Sequence, residues 1–179
     1  TGLDLIREQI LIAQGSPLSL TQKDAAINGW SMEARINCED PANNFCPSPG
    51  TLSRVDFPQG PYVRTDSAMY SGYEIPSGYD SMLAKIIVWG RDRKEATCRL
   101  LRALSESSFA GIKTTIPFHE ALLQHPDFIS GKFDTHFCKN YEKEIQESLE
   151  AVNGSLQESD AALAALVSAL LDVSPPSIQ

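Results

Sequence analysis

The stretch Met82-Leu83-Ala84-Lys85-Ile86-Ile87-Val88-Trp89 carries a single charge, and it limits what the rest of the chain can be. Ile86-Ile87-Val88-Trp89 leaves no polar face, so it does not suit a strand with one side in water. It reads as a strand over 82–89 buried on both faces, and such a strand needs neighbours. Trp30-Ser31-Met32-Glu33-Ala34-Arg35-Ile36-Asn37 alternates strictly and supplies one, with Glu33 and Arg35 on its polar side. Stretches 51–57 and 62–67 read as two short strands around the turn Pro58-Gln59-Gly60-Pro61.

Helices are expected between and around these strands. Leu3, Ile6, Ile10 and Ala13 fall three to four apart and predict a helix over 2–14. Thr1 is its candidate N-cap, and Gly15 with Pro17 ends it. Asp92, with Glu95 three residues on, is a variant capping box opening a helix whose stripe is Ala96, Leu100, Leu101 and Leu104. A shorter helix is predicted over 117–124, with Pro117 in its first turn, and another from about 135, capped by Asp134. Loops rich in proline or glycine occupy 41–50 and 71–80. The fold class is α+β: a small, mostly antiparallel sheet covered by helices. Beyond 142 the composition shifts towards Ala and Leu. A helix is expected over 159–171, with Leu163, Leu166, Val167 and Leu170 on one face, and Ser174-Pro175-Pro176-Ser177 begins a linker. The expected division is a domain over 1–140, a helical tail over 141–173 and a linker over 174–179.

Charge and cysteine content narrow the function classes. The chain has 179 residues and a formal charge of −8, so it repels phosphate backbones and nucleic acid is not an expected partner. No apolar run reaches the ~20 residues of a membrane span. Cys38, Cys46, Cys98 and Cys138 fit neither a zinc pattern nor C-x-x-C. They read as reduced thiols of a cytoplasmic protein, or of one in an organellar matrix. The start at Thr1-Gly2, directly in helical sequence, reads as a cut through a longer protein.

No self-contained active site is visible. There is no G-x-x-x-x-G-K-S/T, no G-x-G-x-x-G, no G-x-S-x-G and no H-E-x-x-H. His119, His125 and His136 lack metal-ligand spacing, and no metal site is expected.

Three stretches point further. Glu33-Ala34-Arg35-Ile36-Asn37-Cys38-Glu39-Asp40-Pro41, closing with Phe45-Cys46-Pro47-Ser48-Pro49-Gly50, resembles the E-x-R-I-N-A-E-D-P…F-x-P-S-P-G signature of biotin carboxylases. Val63-Arg64, then Tyr70-Ser71-Gly72-Tyr73-Glu74-Ile75-Pro76 and Tyr79-Asp80-Ser81-Met82-Leu83-Ala84-Lys85, is similar to V-R-x-D/E…Y-x-G-Y-x-V-P…Y-D-S-M-I-A-K of that family. Gly111-Ile112-Lys113-Thr114-Thr115 and Phe133-Asp134-Thr135-His136-Phe137 resemble G-x-x-T-N and F-D-T-x-F, and Thr1-Gly2-Leu3-Asp4-Leu5 resembles T-G-x-D-L. The likeness is colinear over roughly 1–140.

The resemblance implies the C-terminal part of a ligase that uses ATP, Mg2+ and bicarbonate to make carboxyphosphate, then carboxylates N1′ of biotin on a carrier. The metal- and phosphate-binding groups would lie upstream, so this chain alone is expected to be inactive. Implied partners are an upstream ATP-grasp domain of the same chain, a biotin carrier domain, a carboxyltransferase component and a second copy in a homodimer. The region 86–104 corresponds to that through which relatives dimerise. Location would be cytoplasmic, or the mitochondrial matrix in a eukaryote. The alternative is a non-catalytic module that only holds subunits together.

Residue roles follow the same resemblance. Arg64 is the catalytic candidate, facing the biotin ureido oxygen; the other reading pairs it with Asp66 in solvent. Phe137 is the cofactor-binding candidate, set against adenine; the other reading is a core aromatic. Glu33 and Arg35 read as an ion pair or as a brace of the cleft wall. Asn37, Glu39 and Asp40 read as a cation-binding oxygen cluster or, with Pro41, as a turn. Asp80 and Lys85 are expected to tie the 71–80 loop to the strand that follows.

Overall fold

The computed structural model describes residues 1–150. In chain order the elements are α1 (Leu5–Ala13), β1 (Trp30–Asn37), β2 (Glu39–Asp40), β3 (Cys46–Pro47), β4 (Arg54–Asp56), β5 (Val63–Ser67), β6 (Met82–Gly90), α2 (Arg93–Ser105), β7 (Ser108–Ala110), α3 (Ile116–Gln124), α4 (Pro126–Ser130) and α5 (Phe137–Asn140). Residues 142–150 are helical as well. The helix expected over 159–171 and the linker from 174 lie outside the described residues.

β6 is the middle strand of an antiparallel sheet ordered β1-β6-β5, so both of its edges are paired. Its register sets Ala34 against Ile86, Ile36 against Ala84 and Val63 against Val88. On this inner face Ala34, Ile36, Ala84, Ile86 and Val88 are all buried. α2 lies over them, burying Ala96, Leu100, Ala103 and Leu104. The helix starts as expected, for Asp92 accepts a hydrogen bond from the Glu95 N–H at 2.8 Å. Glu95 reaches back to the Arg91 N–H, one residue earlier than a regular capping box requires, at 2.9 Å.

Two expectations change. The turn at 58–61 does not make a hairpin: β4 pairs with β7 in a separate ladder, and the rings of Phe57 and Phe109 meet at 5.9 Å. The first helix forms, capped by Asp4 rather than Thr1, with the Arg7 N–H donating to Asp4 at 2.9 Å. Its apolar residues Leu5, Ile6, Ile10 and Ile12 face out, while Glu8 is the buried one, accepting from the Ser19 N–H and hydroxyl at 3.2 and 2.7 Å. Those Ser19 hydrogen bonds hold the Glu8 carboxyl below its ordinary value.

A second apolar cluster joins Phe137 to Ile145 and Leu149 of the 142–150 helix, flanked by Phe118, Phe128 and Tyr141. Arg93, at the start of α2, stands 5.0 Å from the Phe128 ring centre and 5.1 Å from that of Phe133, linking this cluster to the main sheet.

Gly90 closes β6 where the chain turns into α2. A Cβ there would stand 2.5 Å from Ala96 N and 3.0 Å from Asp92 O, both backbone atoms. Gly90→Ala must push the helix off the sheet, and a loss of about 1–3 kcal/mol is expected in urea denaturation. An unchanged midpoint would mean that α2 shifts without cost.

Candidate functional site

The face of the sheet opposite α2 gathers the charged strand residues of the first two motifs. Alternation along β1, β6 and β5 turns Glu33, Arg35, Lys85, Arg64 and Asp66 to this side. The register arranges them in rows: Glu33, Ile87 and Arg64 in one, and Arg35, Lys85 and Asp66 in the next. Three cations and two carboxylates thus share one face of an otherwise acidic chain.

Arg64 is 74% exposed, and its guanidinium meets Asp66 in a fork. Nε–H donates to Oδ1 and Nη2–H to Oδ2, both at 2.8 Å. This hydrogen-bonded pairing raises the Arg64 pKa and lowers that of Asp66, with Lys85 adding to the effect on the carboxylate. Beside Arg64 lies a shallow hollow of about 180 Å3, lined by Ser31, Tyr62, Ile87 and Trp89 among others. Tyr62 and Trp89 pack with ring centres 4.9 Å apart, and the Arg99 guanidinium lies 5.2 Å from the Tyr62 ring centre.

The end of β1 is clamped by the third motif. Thr115, only 4% exposed, donates its hydroxyl to the Arg35 carbonyl at 3.2 Å. Thr115 Oγ1 in turn accepts from the Asn37 N–H at 3.0 Å, and the Thr115 N–H donates to the Asn37 carbonyl at 3.1 Å. His119 donates from Nε2 to the Arg35 carbonyl at 2.9 Å. The Thr115 and His119 roles have no local signature, because both partners lie about eighty residues away along the chain.

Glu39 accepts from Asn37 Nδ2 at 3.2 Å and from the Ser81 hydroxyl, which joins the first motif to the second. Asp40 accepts from the Ala42 N–H at 3.1 Å and caps a single turn over Pro41–Asn43, so the turn reading describes it. Among the described residues no three His, Cys, Asp or Glu side chains converge into a metal-binding group. Asp80 holds the start of β6 by accepting from the Met82 N–H at 2.9 Å, whereas Lys85 faces Asp66. Glu33 and Arg35 make no ion pair among the described residues; Arg35 instead faces Lys85.

Phe137 falls elsewhere. It is 4% exposed, and the rings of His125, Phe128, Phe133 and Tyr141 surround it at centroid distances of 4.8 to 5.9 Å. In this chain Phe137 packs as a core aromatic.

These motifs, in this geometry, define a known class. A family model described as the biotin carboxylase C-terminal domain matches residues 33–140, and the chain belongs to that family. It is 54% identical over 142 residues to biotin carboxylase 1 of Bacillus subtilis, covering 79% of this chain and 32% of the relative. It is 47% identical over 143 residues to the biotin carboxylase of Nostoc sp., covering 80% of this chain and 32% of the relative. Among solved structures it is similar to the biotin carboxylase domain dimer of the Hydrogenobacter thermophilus 2-oxoglutarate carboxylase, in complex with MgADP, ADP and bicarbonate. That match has a TM-score of 0.76 at 41% identity, over 81% of this chain and 32% of the other. The chain therefore spans about a third of the length of these relatives.

His119 gives the site a pH signature. Burial pushes its pKa below the ordinary 6.5, against the opposing hydrogen bond to Arg35. The unfolded chain then takes up a proton first as pH falls. The stability due to the neutral ring is complete above pH 6.5 and declines as pH drops towards the lowered value. His119→Gln keeps a donor for the carbonyl but does not titrate. Its stability is expected to fall less steeply just below pH 6.5. Equal slopes in the two proteins, measured by urea unfolding across that range, would contradict this.

Proposed function

We propose that this chain is the C-terminal part of the biotin carboxylase component of a biotin-dependent carboxylase. In the complete protein, ATP and bicarbonate would form carboxyphosphate, and the carboxyl group would pass to N1′ of carrier-bound biotin. The observation that carries this reading is Arg64: an exposed guanidinium in the V-R-x-D motif, standing on an open face with hydrogen-bond donors to spare.

The chemistry asks for such a group. Loss of the N1′ proton puts negative charge on the ureido oxygen, giving an enolate-like anion. A guanidinium remains charged at any working pH and offers paired donors in a fixed plane. It stabilises that charge as an oxyanion hole does. ATP, bicarbonate and Mg2+ belong to the upstream ATP-grasp part, and no step on this chain runs through the metal.

The exposed apolar residues of α1 support a body packed against that helix, here assigned to the same upstream part. A biotin carrier domain and a carboxyltransferase component are the further partners. A homodimer is part of this reading, and the solved Hydrogenobacter domain is a dimer. Because both edges of β6 are paired, β6 itself is closed to strand addition in such a contact. No helix among the described residues is long and apolar enough to cross a membrane. Bacterial and chloroplast enzymes are among the relatives, and a location in the cytoplasm or an organellar matrix goes with this reading.

Two measurements test the assignment. Purified 1–179 is expected to show no ATP hydrolysis stimulated by bicarbonate and biotin; such turnover would overturn the division of labour. Arg64→Ala in the full-length enzyme is expected to lower biotin carboxylation on the order of 10²–10³-fold with nucleotide affinity near normal. Arg64→Lys should recover only part, since it keeps the charge and loses the fork. A parental rate in the alanine variant, with its melting temperature unchanged, would return Arg64 to a surface ion pair.

A further inference from the structure

A guanidinium on a long, solvent-exposed stem does not stay where catalysis needs it unless something holds it. Its five N–H groups form two paired edges, a side-on edge of Nε and Nη2 and an end-on edge of Nη1 and Nη2. Asp66 takes the side-on edge of Arg64 with both oxygens at 2.8 Å. The end-on edge has no partner among the described residues. The two side chains stand on the same side of β5, two residues apart, so the pleat sets them beside each other. Lys85, across the ladder from Asp66, supplies a second cation next to the carboxylate. Both partners are well exposed, so the pair adds little to stability, and its lasting effect is geometric.

We infer that Asp66 is a positioning residue: its carboxylate grips the side-on edge of Arg64 and aims the end-on edge at the place where the oxyanion develops. This rests on the role given to Arg64 above. Without the grip, the arginine regains its rotamer freedom, and that freedom must be lost again on the way to each transition state. With it, the donors are oriented in advance.

The test uses the full-length enzyme with Asp66→Asn, Asp66→Glu, Arg64→Ala and the Arg64→Ala/Asp66→Asn double variant. Asparagine matches aspartate in shape but offers one acceptor oxygen, and its NH2 group opposes the second guanidinium donor. Glutamate alters the shape but keeps both acceptors and the charge. Asp66→Asn is expected to lower kcat for biotin carboxylation on the order of tenfold with KM for ATP unchanged, and Asp66→Glu to recover most of the loss. A merely structural Asp66 would give the reverse order, with asparagine tolerated and glutamate not. In the Arg64→Ala background, Asp66→Asn is expected to cost nothing more, because the two residues act as a unit. If Arg64→Ala abolishes carboxylation while Asp66→Asn runs at the parental rate, the positioning role falls and the Arg64 assignment stands. If Arg64→Ala itself runs at the parental rate, both fall.

Discussion

The pairing register of β6 with its two neighbours is the constraint on which the rest depends. Setting Ala34 and Val63 against Ile86 and Val88 sends every second residue into the core beneath α2. The same choice sends Glu33, Arg35, Lys85, Arg64 and Asp66 to the opposite side. A slip of one residue would bury three cations and expose the core, at a cost no small domain could bear. The apolar packing of one face therefore fixes the chemistry of the other.

The motifs divide their labour around that register. The E-A-R-I-N strand supplies one flank of the charged face and the V-R-T-D strand the other. In the G-I-K-T-T segment, Thr115 holds the last residues of β1 in place through three hydrogen bonds. Glu39 and Ser81 join the loops at the end of the sheet where Asn37 meets Met82. Much of what reads in sequence as an active-site signature is scaffolding for a few exposed side chains.

The legible elements are those with a strong period. β1 has the predicted bounds, and α2 starts from the predicted cap, because alternation over eight residues and a spaced apolar stripe each fit one structure. The pairing of β4 with β7 was hidden: three-residue strands carry no pattern, and their partners lie more than fifty positions apart. Arg64 and Asp66 were readable as neighbours, since residues two apart on a strand share a side. The packing of Phe137 with Ile145 and Leu149 was not, since an apolar residue at a helix start gives no local sign of which distant residues it will meet.

The first helix shows how covalent membership and energetic membership can part. Leu5, Ile6, Ile10 and Ile12 are in the chain but outside its core, and Ile27 nearby is 88% exposed. Taken alone, the chain is a charged colloid with a sticky spot. At neutral pH its formal charge of −8 keeps copies apart. Near its isoelectric point of about 4.8 that repulsion vanishes while the apolar attraction does not. Ammonium sulfate pushes the same way by strengthening apolar burial. The attraction that acidity and salt uncover comes from a helix that contributes nothing to the sheet.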